Sequence, residues 1–195
     1  MKDDAIKVVP LKEVAKACLG YSFRGAVKDV PDGDVAVVQI KNTDPERGVD
    51  WSALIKTVLP GRKKPEWLQA GDVLFTARGN RNVAVHIDQV SGRAVCAPHF
   101  YLLRTSGDAI LPAYLAWYIN ESPAQRYFAQ SAEGTLITSI RRGVLEELPV
   151  PVPSMERQQM IANLVAAARH EKQLTEQLIR NRDQQLKLVA LGLIQ

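Results

Sequence analysis

Few side chains in this sequence are of a type and spacing that could do covalent chemistry. The histidines, His86, His99 and His170, are scattered, and none stands in an H-E-x-x-H pair or beside a second thiol. Each reads as a structural or surface residue rather than as a metal ligand or a base. Cys18 and Cys96 lie 78 positions apart, cannot form a zinc knuckle or a C-x-x-C redox pair, and read as two reduced, buried thiols. No G-x-S-x-G is present, and Gly61-Arg62-Lys63-Lys64 lacks the second glycine and the Ser or Thr of a phosphate loop. The expectation is a non-enzymatic chain with no catalytic residue, no metal and no cofactor.

One near-match carries a weaker alternative. Pro31-Asp32 followed by Gln39-Ile40-Lys41 has part of the PD-(D/E)xK pattern of metal-dependent nucleases. Two-metal phosphodiester cleavage needs carboxylates for Mg²⁺ and a Lys to support the attacking water. Here Gln39 stands where the second carboxylate belongs, so the stretch reads better as a turn leading into a strand.

What remains is basic charge. The 195 residues are 46% hydrophobic and 24% charged, with 25 Lys and Arg against 21 Asp and Glu, a composition that excludes wholesale disorder. Residues 1–60 balance nine basic against nine acidic side chains, and 101–150 hold four against five. The surplus lies in 61–100, six against three, and in 151–195, six against four. The first of these contains Arg62-Lys63-Lys64 and the pair Arg78 and Arg81 around Gly79-Asn80. Such a patch permits a nucleic-acid partner without requiring one.

These side chains need elements to hold them. Leu11 to Ala17 reads as a short amphipathic helix stopped by Gly20. Val35 to Lys41 is rich in β-branched residues between Pro31-Asp32-Gly33 and Asn42-Thr43-Asp44-Pro45, and reads as a buried strand between turns. Gly71-Asp72 bends the chain into a strand through Thr76, and Val83–Val90 and Arg93–Arg104 supply two more. Pro112 and Pro123 each open a helix. The stretch from Glu133 to Gly143 reads as a turn, a short strand and a basic loop. Leu148-Pro149-Val150-Pro151-Val152-Pro153 can be neither helix nor central strand, and reads as an extended connector at the domain boundary.

From Ser154 to Gly192 there is neither Pro nor an interior Gly. A helix of about 38 residues would be about 57 Å long. Leu164, Ala168, Glu171, Leu174, Leu178, Asn181, Gln185 and Leu188 fall on a 3-4 spacing interrupted by Glu171, Asn181 and Gln185, and a second stripe runs through Leu174, Leu178, Arg182, Leu186, Val189 and Leu193. A helix this long cannot bury a stripe against itself, so the expectation is a coiled coil with a partner helix, with Asn181 fixing register, and a helix that folds back on its own domain is the alternative. The fold class expected is α+β, a mixed globular domain at 1–150 followed by a helix at 151–195. No run of about 18 apolar residues suggests a membrane span. Met1-Lys2-Asp3-Asp4 carries acid where a signal peptide is basic, so a cytoplasmic location is expected.

The order of segments resembles the DNA specificity (S) subunits of type I restriction–modification systems. Leu11-Lys12-Glu13-Val14-Ala15 with Gly20 is similar to the family's opening. Gly71-Asp72-Val73-Leu74-Phe75-Thr76-Ala77-Arg78-Gly79-Asn80 resembles its GD-[IV]-L-hydroxyl-x-RG stretch, and Leu111-Pro112-Ala113-Tyr114-Leu115 and Gly134-Thr135 also match. Leu148–Pro153 leading to Gln158 and Ile161 resembles its proline-rich junction. Arg157, Ser154 and Leu136-Ile137 depart from the usual pattern.

The resemblance implies a target recognition domain with a conserved-region helix. Full S subunits carry two such units, so the resemblance implies a half-subunit completed by self-association, two copies pairing through residues 154–195 as an intermolecular antiparallel coiled coil. Its implied partners are double-stranded DNA, a second copy, a methyltransferase (modification) subunit and a restriction subunit. A stand-alone DNA-binding regulator or inhibitor of the same fold is the second reading. For base reading the candidates are Arg78, Asn80 and Arg81 on one loop and Thr138, Ser139 and Arg141 on another. For phosphate contact they are Arg62, Lys63, Lys64 and Arg142, with Arg24 and Lys41 behind them.

Overall fold

The structure, a computed structural model, describes residues 6–59, 64–79, 81–131 and 138–194. In chain order its strands begin with β1 (Lys7–Pro10), β2 (Ala15–Leu19), β3 (Val35–Val38), β4 (Thr43–Asp44), β5 (Gly48–Val49) and β6 (Ile55–Thr57). They continue with β7 (Val73–Thr76), β8 (Arg78–Gly79), β9 (Ala84–His86), β10 (Ala94–Cys96) and β11 (Phe100–Thr105). Helices α1 (Pro112–Asn120) and α2 (Ser122–Ser131) follow, then β12 (Thr138–Ser139), α3 (Arg142–Glu146), β13 (Pro149–Val152) and α4 (Met155–Gly192). The expected α+β class is observed.

The central layer is an antiparallel sheet ordered β2-β11-β7-β9. Its two faces serve different cores, which explains why Val73-Leu74-Phe75-Thr76 is buried at every position instead of alternating. Val73, Phe75, Ala15, Ala17 and Leu103 point toward α1, α2 and α3, where Phe75 meets Phe128 at a ring separation of 5.0 Å. Leu74, Phe100 and Leu102 point the other way, onto a second sheet ordered β10-β3-β6 with Val35, Val37, Val95 and Cys96. Cys96 is fully buried, and its thiol is pushed up to about 12 by burial; Cys18 is half-buried, and both are free. Gly20 passes so close to the second sheet that a Cβ there would lie 2.1 Å from the Ala97 carbonyl oxygen.

Several local expectations change. Residues Leu11–Glu13 form one 3-10 turn, and Ala15–Leu19 is a strand, not the continuation of a helix. The reason is non-local: β11 supplies the ladder from Ala15↔Thr105 to Leu19↔Tyr101, and the inward alternation of Ala15 and Ala17 suits a strand. The strand expected at 35–41 stops at Val38, and Ile40–Asn42 is a 3-10 turn. The strand expected at 83–90 is reduced to Ala84–His86, and that at 93–104 is broken by a corner at Ala97–His99. Arg142 opens a short helix where a basic loop was expected. The proline run is extended as expected, and it also pairs: β13 lies antiparallel to β1, from Lys7↔Val152 to Pro10↔Pro149. A two-stranded ribbon tolerates prolines because their missing donors can face away from the pair.

α4 runs 38 residues, and the Ser154 Oγ accepts from the Arg157 amide at 3.4 Å. Its root is fastened by Gln158, which is 1% exposed. That side chain accepts from the Leu111 amide at 2.8 Å and donates to the Ala109 and Pro153 carbonyls, each at 2.9 Å. Two tyrosines on α1 hold the connector: Tyr114 donates to the Pro151 carbonyl and Tyr118 to that of Pro149, at 3.0 and 2.7 Å. Among the described residues, no helix is long and apolar enough to cross a membrane.

Candidate nucleic-acid interface

The two loops singled out for base reading meet. β8 and β12 pair antiparallel, Arg78 opposite Ser139 and Gly79 opposite Thr138. The pairing is extended by the Ile140 amide, which donates to the Ala77 carbonyl at 2.9 Å. Sixty residues of sequence separate these segments, and the ladder makes them one ribbon. Its support is buried: Asn82 is 8% exposed and donates to the Thr76 carbonyl at 2.9 Å, while Gln125 of α2 donates to the Asn82 carbonyl at 2.9 Å. Asn120 of α1 braces the next strand, accepting from the Ala84 amide and donating to its carbonyl, both at 2.8 Å. A rigid base beneath a short ribbon that exposes Arg78 is the arrangement a reading surface needs.

Beside the ribbon lies a groove of about 420 Å³ lined by Phe23, Gly25, Ile40, Lys41, Pro98 and His99, among others. The His99 carbonyl accepts from the Ala77 amide at 2.8 Å, and a Cβ on Gly79 would lie 3.7 Å from Ile40, so groove and ribbon share a wall. Lys41 is exposed on this groove, and Arg24, also exposed, adjoins its Phe23 and Gly25 edge. Arg78 and Arg141 are exposed on the ribbon and just beyond it. Four of the basic candidates thus fall in the ribbon-and-groove region, although they come from four separate stretches of sequence. His99, Phe23 and Ile40 were not singled out from the sequence. Their place beside the ribbon comes from the corner at 97–99 and the 3-10 turn at 40–42, neither of which has a strong local signature.

The remaining candidates are placed less centrally. Arg81 is exposed on the wall of a different groove, between the globular domain and α4, with Trp117 and Arg169. Arg142 is engaged within α3, its Nε donating to Glu146 at 2.7 Å. Lys64 is exposed ahead of Trp67. Asn80, Arg62 and Lys63 lie outside the described residues, as do Gly134-Thr135 and Leu136-Ile137 of the family-like stretch.

The nuclease-like pattern does not assemble. Asp32 precedes β3 and Lys41 follows it, so the strand separates them, and Gln39 caps the turn at 40–42 by a reciprocal pair of hydrogen bonds with Asn42. Among the described residues no group of three or more His, Cys, Asp or Glu side chains could hold a metal ion.

The family-like motifs prove to be framework. Gly71 takes φ +89°, and Asp72, 1% exposed, accepts from the Gln69 amide at 2.7 Å. Asp72 also takes both arms of Arg104, each at 2.8 Å, and the guanidinium reaches on to the Trp67 carbonyl at 3.0 Å. This bidentate pair joins the start of β7 to the end of β11, and the hydrogen bond to Asp72 raises the Arg104 pKa further.

No family model and no curated protein matches the sequence. Solved structures do. The S subunit of a type I restriction–modification system from M. genitalium superposes with a TM-score of 0.60 at 14% identity, over 94% of this chain and 45% of that one. The HsdS subunit from Thermoanaerobacter tengcongensis gives 0.65 at 17% identity, over 96% and 48%. A third structure, described by the assembly and conformational transition of the type I R-M system, gives 0.65 at 15% identity, over 91% and 46%. This chain therefore has the fold of type I restriction–modification S subunits over nearly its whole length, and it spans about half of each.

Proposed function

We infer that this chain is a DNA-recognition half-subunit of a type I restriction–modification complex. Residues 1–150 read DNA, and residues 151–195 pair two copies and dock the modification subunit. The observation that carries the reading is the β8–β12 ribbon, which joins two basic segments distant in sequence beside the Lys41 groove. Arg78, Ser139 and Arg141, with Asn80 and Thr138, address base edges, and Arg24, Lys41, Lys64 and Arg142, with Arg62 and Lys63, address phosphates. The expected location is the cytoplasm.

The second element of the reading is the exposed stripe on α4. Leu164, Leu174, Leu178, Leu186 and Val189 are between 47% and 70% exposed; a second α4 packed antiparallel against them gives each apolar side chain a partner. Ala168 and Asn181 share this surface and are exposed too. Two domains related by a two-fold axis then read two identical half-sites in inverted orientation, at a gap set by the helices. Catalysis belongs to the methyltransferase and restriction partners.

Selection of double-stranded DNA from a random pool tests this. The expected winners are inverted repeats with one gap length, and Arg78→Ala should cost about tenfold or more in preference at one position of each half-site. Recovery of no inverted repeat, or methylation or cleavage by the purified chain alone, would overturn the reading.

A further inference from the structure

The hairpin formed by β4 and β5 does something the DNA face does not require. Its tip, Pro45-Glu46-Arg47, reaches across to α4, where Glu46 accepts from Lys172 and Glu176 accepts from the Arg47 guanidinium at 2.5 Å. Gln173 donates toward the Glu46 carbonyl at 3.5 Å. Open grooves of about 450 and 240 Å³ lie on the two sides of this bridge, and Pro45 and Glu46 line both. The hairpin tip thus crosses a gap.

The tip is built stiff. Asp44 Oδ1 accepts from the amides of Glu46 and Arg47 at 2.8 and 2.9 Å, and Gly48 takes φ +80° to close the turn. Behind it, buried Asn42 donates to the Ala53 carbonyl at 3.0 Å and accepts from the Asp50 amide through its own carbonyl at 2.8 Å. Flexible surface loops rarely carry such a set of side-chain-to-backbone bonds at their base and tip together.

Leverage explains why a brace at this place matters. From Gln158 to Gly192 the helix extends about 51 Å at 1.5 Å per residue. Tilting it about its root by about 4° moves the tip by about 3.4 Å, the rise of one base pair. Gln158 and the half-buried Ile161, Ala162 and Val165 hold the root of α4, all within about 11 Å of the pivot, where contacts constrain the angle less than those farther out. The hairpin meets the helix about 21–27 Å farther along, where a small force controls the angle.

We propose that the β4–β5 hairpin is a strut that sets the angle of α4 against the recognition domain, making Glu46 and Arg47 positioning residues for half-site spacing. This rests on the paired half-subunit reading. The residues contact no DNA in this scheme. They act through Lys172 and Glu176, and because Glu46, Arg47 and Lys172 are exposed and Glu176 only half-buried, the brace weakens as salt rises.

The test uses the full chain with Cys18→Ala and spin labels on Ser106→Cys and Lys187→Cys, diluted with unlabelled protein, and reads the distance distribution between domain and helix. The starting chain should give one narrow distance. Glu46→Lys with Arg47→Glu should broaden or shift it by about one base-pair rise, 3.4 Å, or more. Adding Lys172→Glu and Glu176→Arg should restore it, and high salt should broaden the unreversed protein without any substitution. A distribution unchanged by both charge reversal and salt overturns the strut, as does broadening that the full swap fails to reverse. DNA selected by the reversed variant should carry several gap lengths where the parent carries one. Loss of self-association or of any inverted repeat in the parent, with the narrow distance intact, would instead defeat the half-subunit reading.

Discussion

From Gln158 to Glu176, α4 keeps one face against its own domain: Ile161, Ala162, Val165, Arg169, Gln173 and Glu176 are half-buried at helical spacing. From Gln177 to Gly192 every residue is exposed, including Leu178, Ile179, Leu186, Leu188, Val189 and Leu191. One helix thus has a half finished by intramolecular packing and a half that nothing among the described residues covers. Helical propensity does not distinguish the halves, since most helical stability in proteins comes from packing an apolar face. The difference teaches that the proximal half serves the domain's own stability, whereas the distal half carries apolar side chains that the described residues leave exposed.

The largest effect should come from removing the unfinished half. A chain ending after Glu176 keeps Gln158 and both hairpin contacts, so it should fold and be monomeric by sizing. Its DNA affinity should fall by about 10²–10⁴, because two linked recognition domains become one. Ending at Pro153 would be a harsher cut, since it strips the Leu111 amide and Ala109 carbonyl of their partner. A Glu176-terminated chain that still dimerises would place the interface elsewhere.

Gln158→Ala should come next, acting on stability of the domain itself. It orphans buried backbone groups and should cost about 3 kcal/mol in denaturant unfolding. Gln185→Ala, the same change on the bare half, should stay within about 0.5 kcal/mol. Equal effects would erase the distinction between the halves.

Leu178→Ala separates the bare helix from the paired one. If α4 pairs, the substitution should destabilise the dimer by about 2 kcal/mol per side chain buried there, read as a weaker self-association constant. Unfolding of the dilute monomer should hardly change. Asn181→Leu should act in the opposite direction, tightening self-association while admitting other registers or oligomers, seen by sizing and cross-linking. The smallest effect is chemical. Cys18, half-buried, should react with thiol reagents in the native state, while Cys96, buried and held up to about 12, should react only on unfolding.

Legibility followed the range of the interactions involved. α4 was readable end to end, because Ser154, the absence of proline and the long run of helix formers are local facts. The proline run was readable as extended, since ring geometry excludes a helix there, but its pairing with β1 was not, as that partner lies about 140 residues away. Residues 15–17 carry a helical pattern locally yet belong to β2, because a short apolar run is ambiguous until β11 arrives to bond it. At the β8–β12 ribbon and its groove, the basic side chains were visible one by one. Their gathering was not, and Arg81 and Arg142 show that loop membership and charge do not determine where a side chain ends up.

Sequence alone determined the composition of a folded α+β chain, the long helix and its apolar stripe, the absence of common catalytic motifs, and the order of segments that resembles S subunits. These follow from local sterics, capping and periodicity, which act over a few residues. Only the tertiary structure decided that β8 and β12 form one ribbon, that Asp72 and Gln158 are framework, and that the β4–β5 hairpin reaches α4 at Lys172 and Glu176. Each of these joins residues between 32 and 129 positions apart. Such contacts form only when the whole chain has collapsed around its cores, so no short window of sequence contains them.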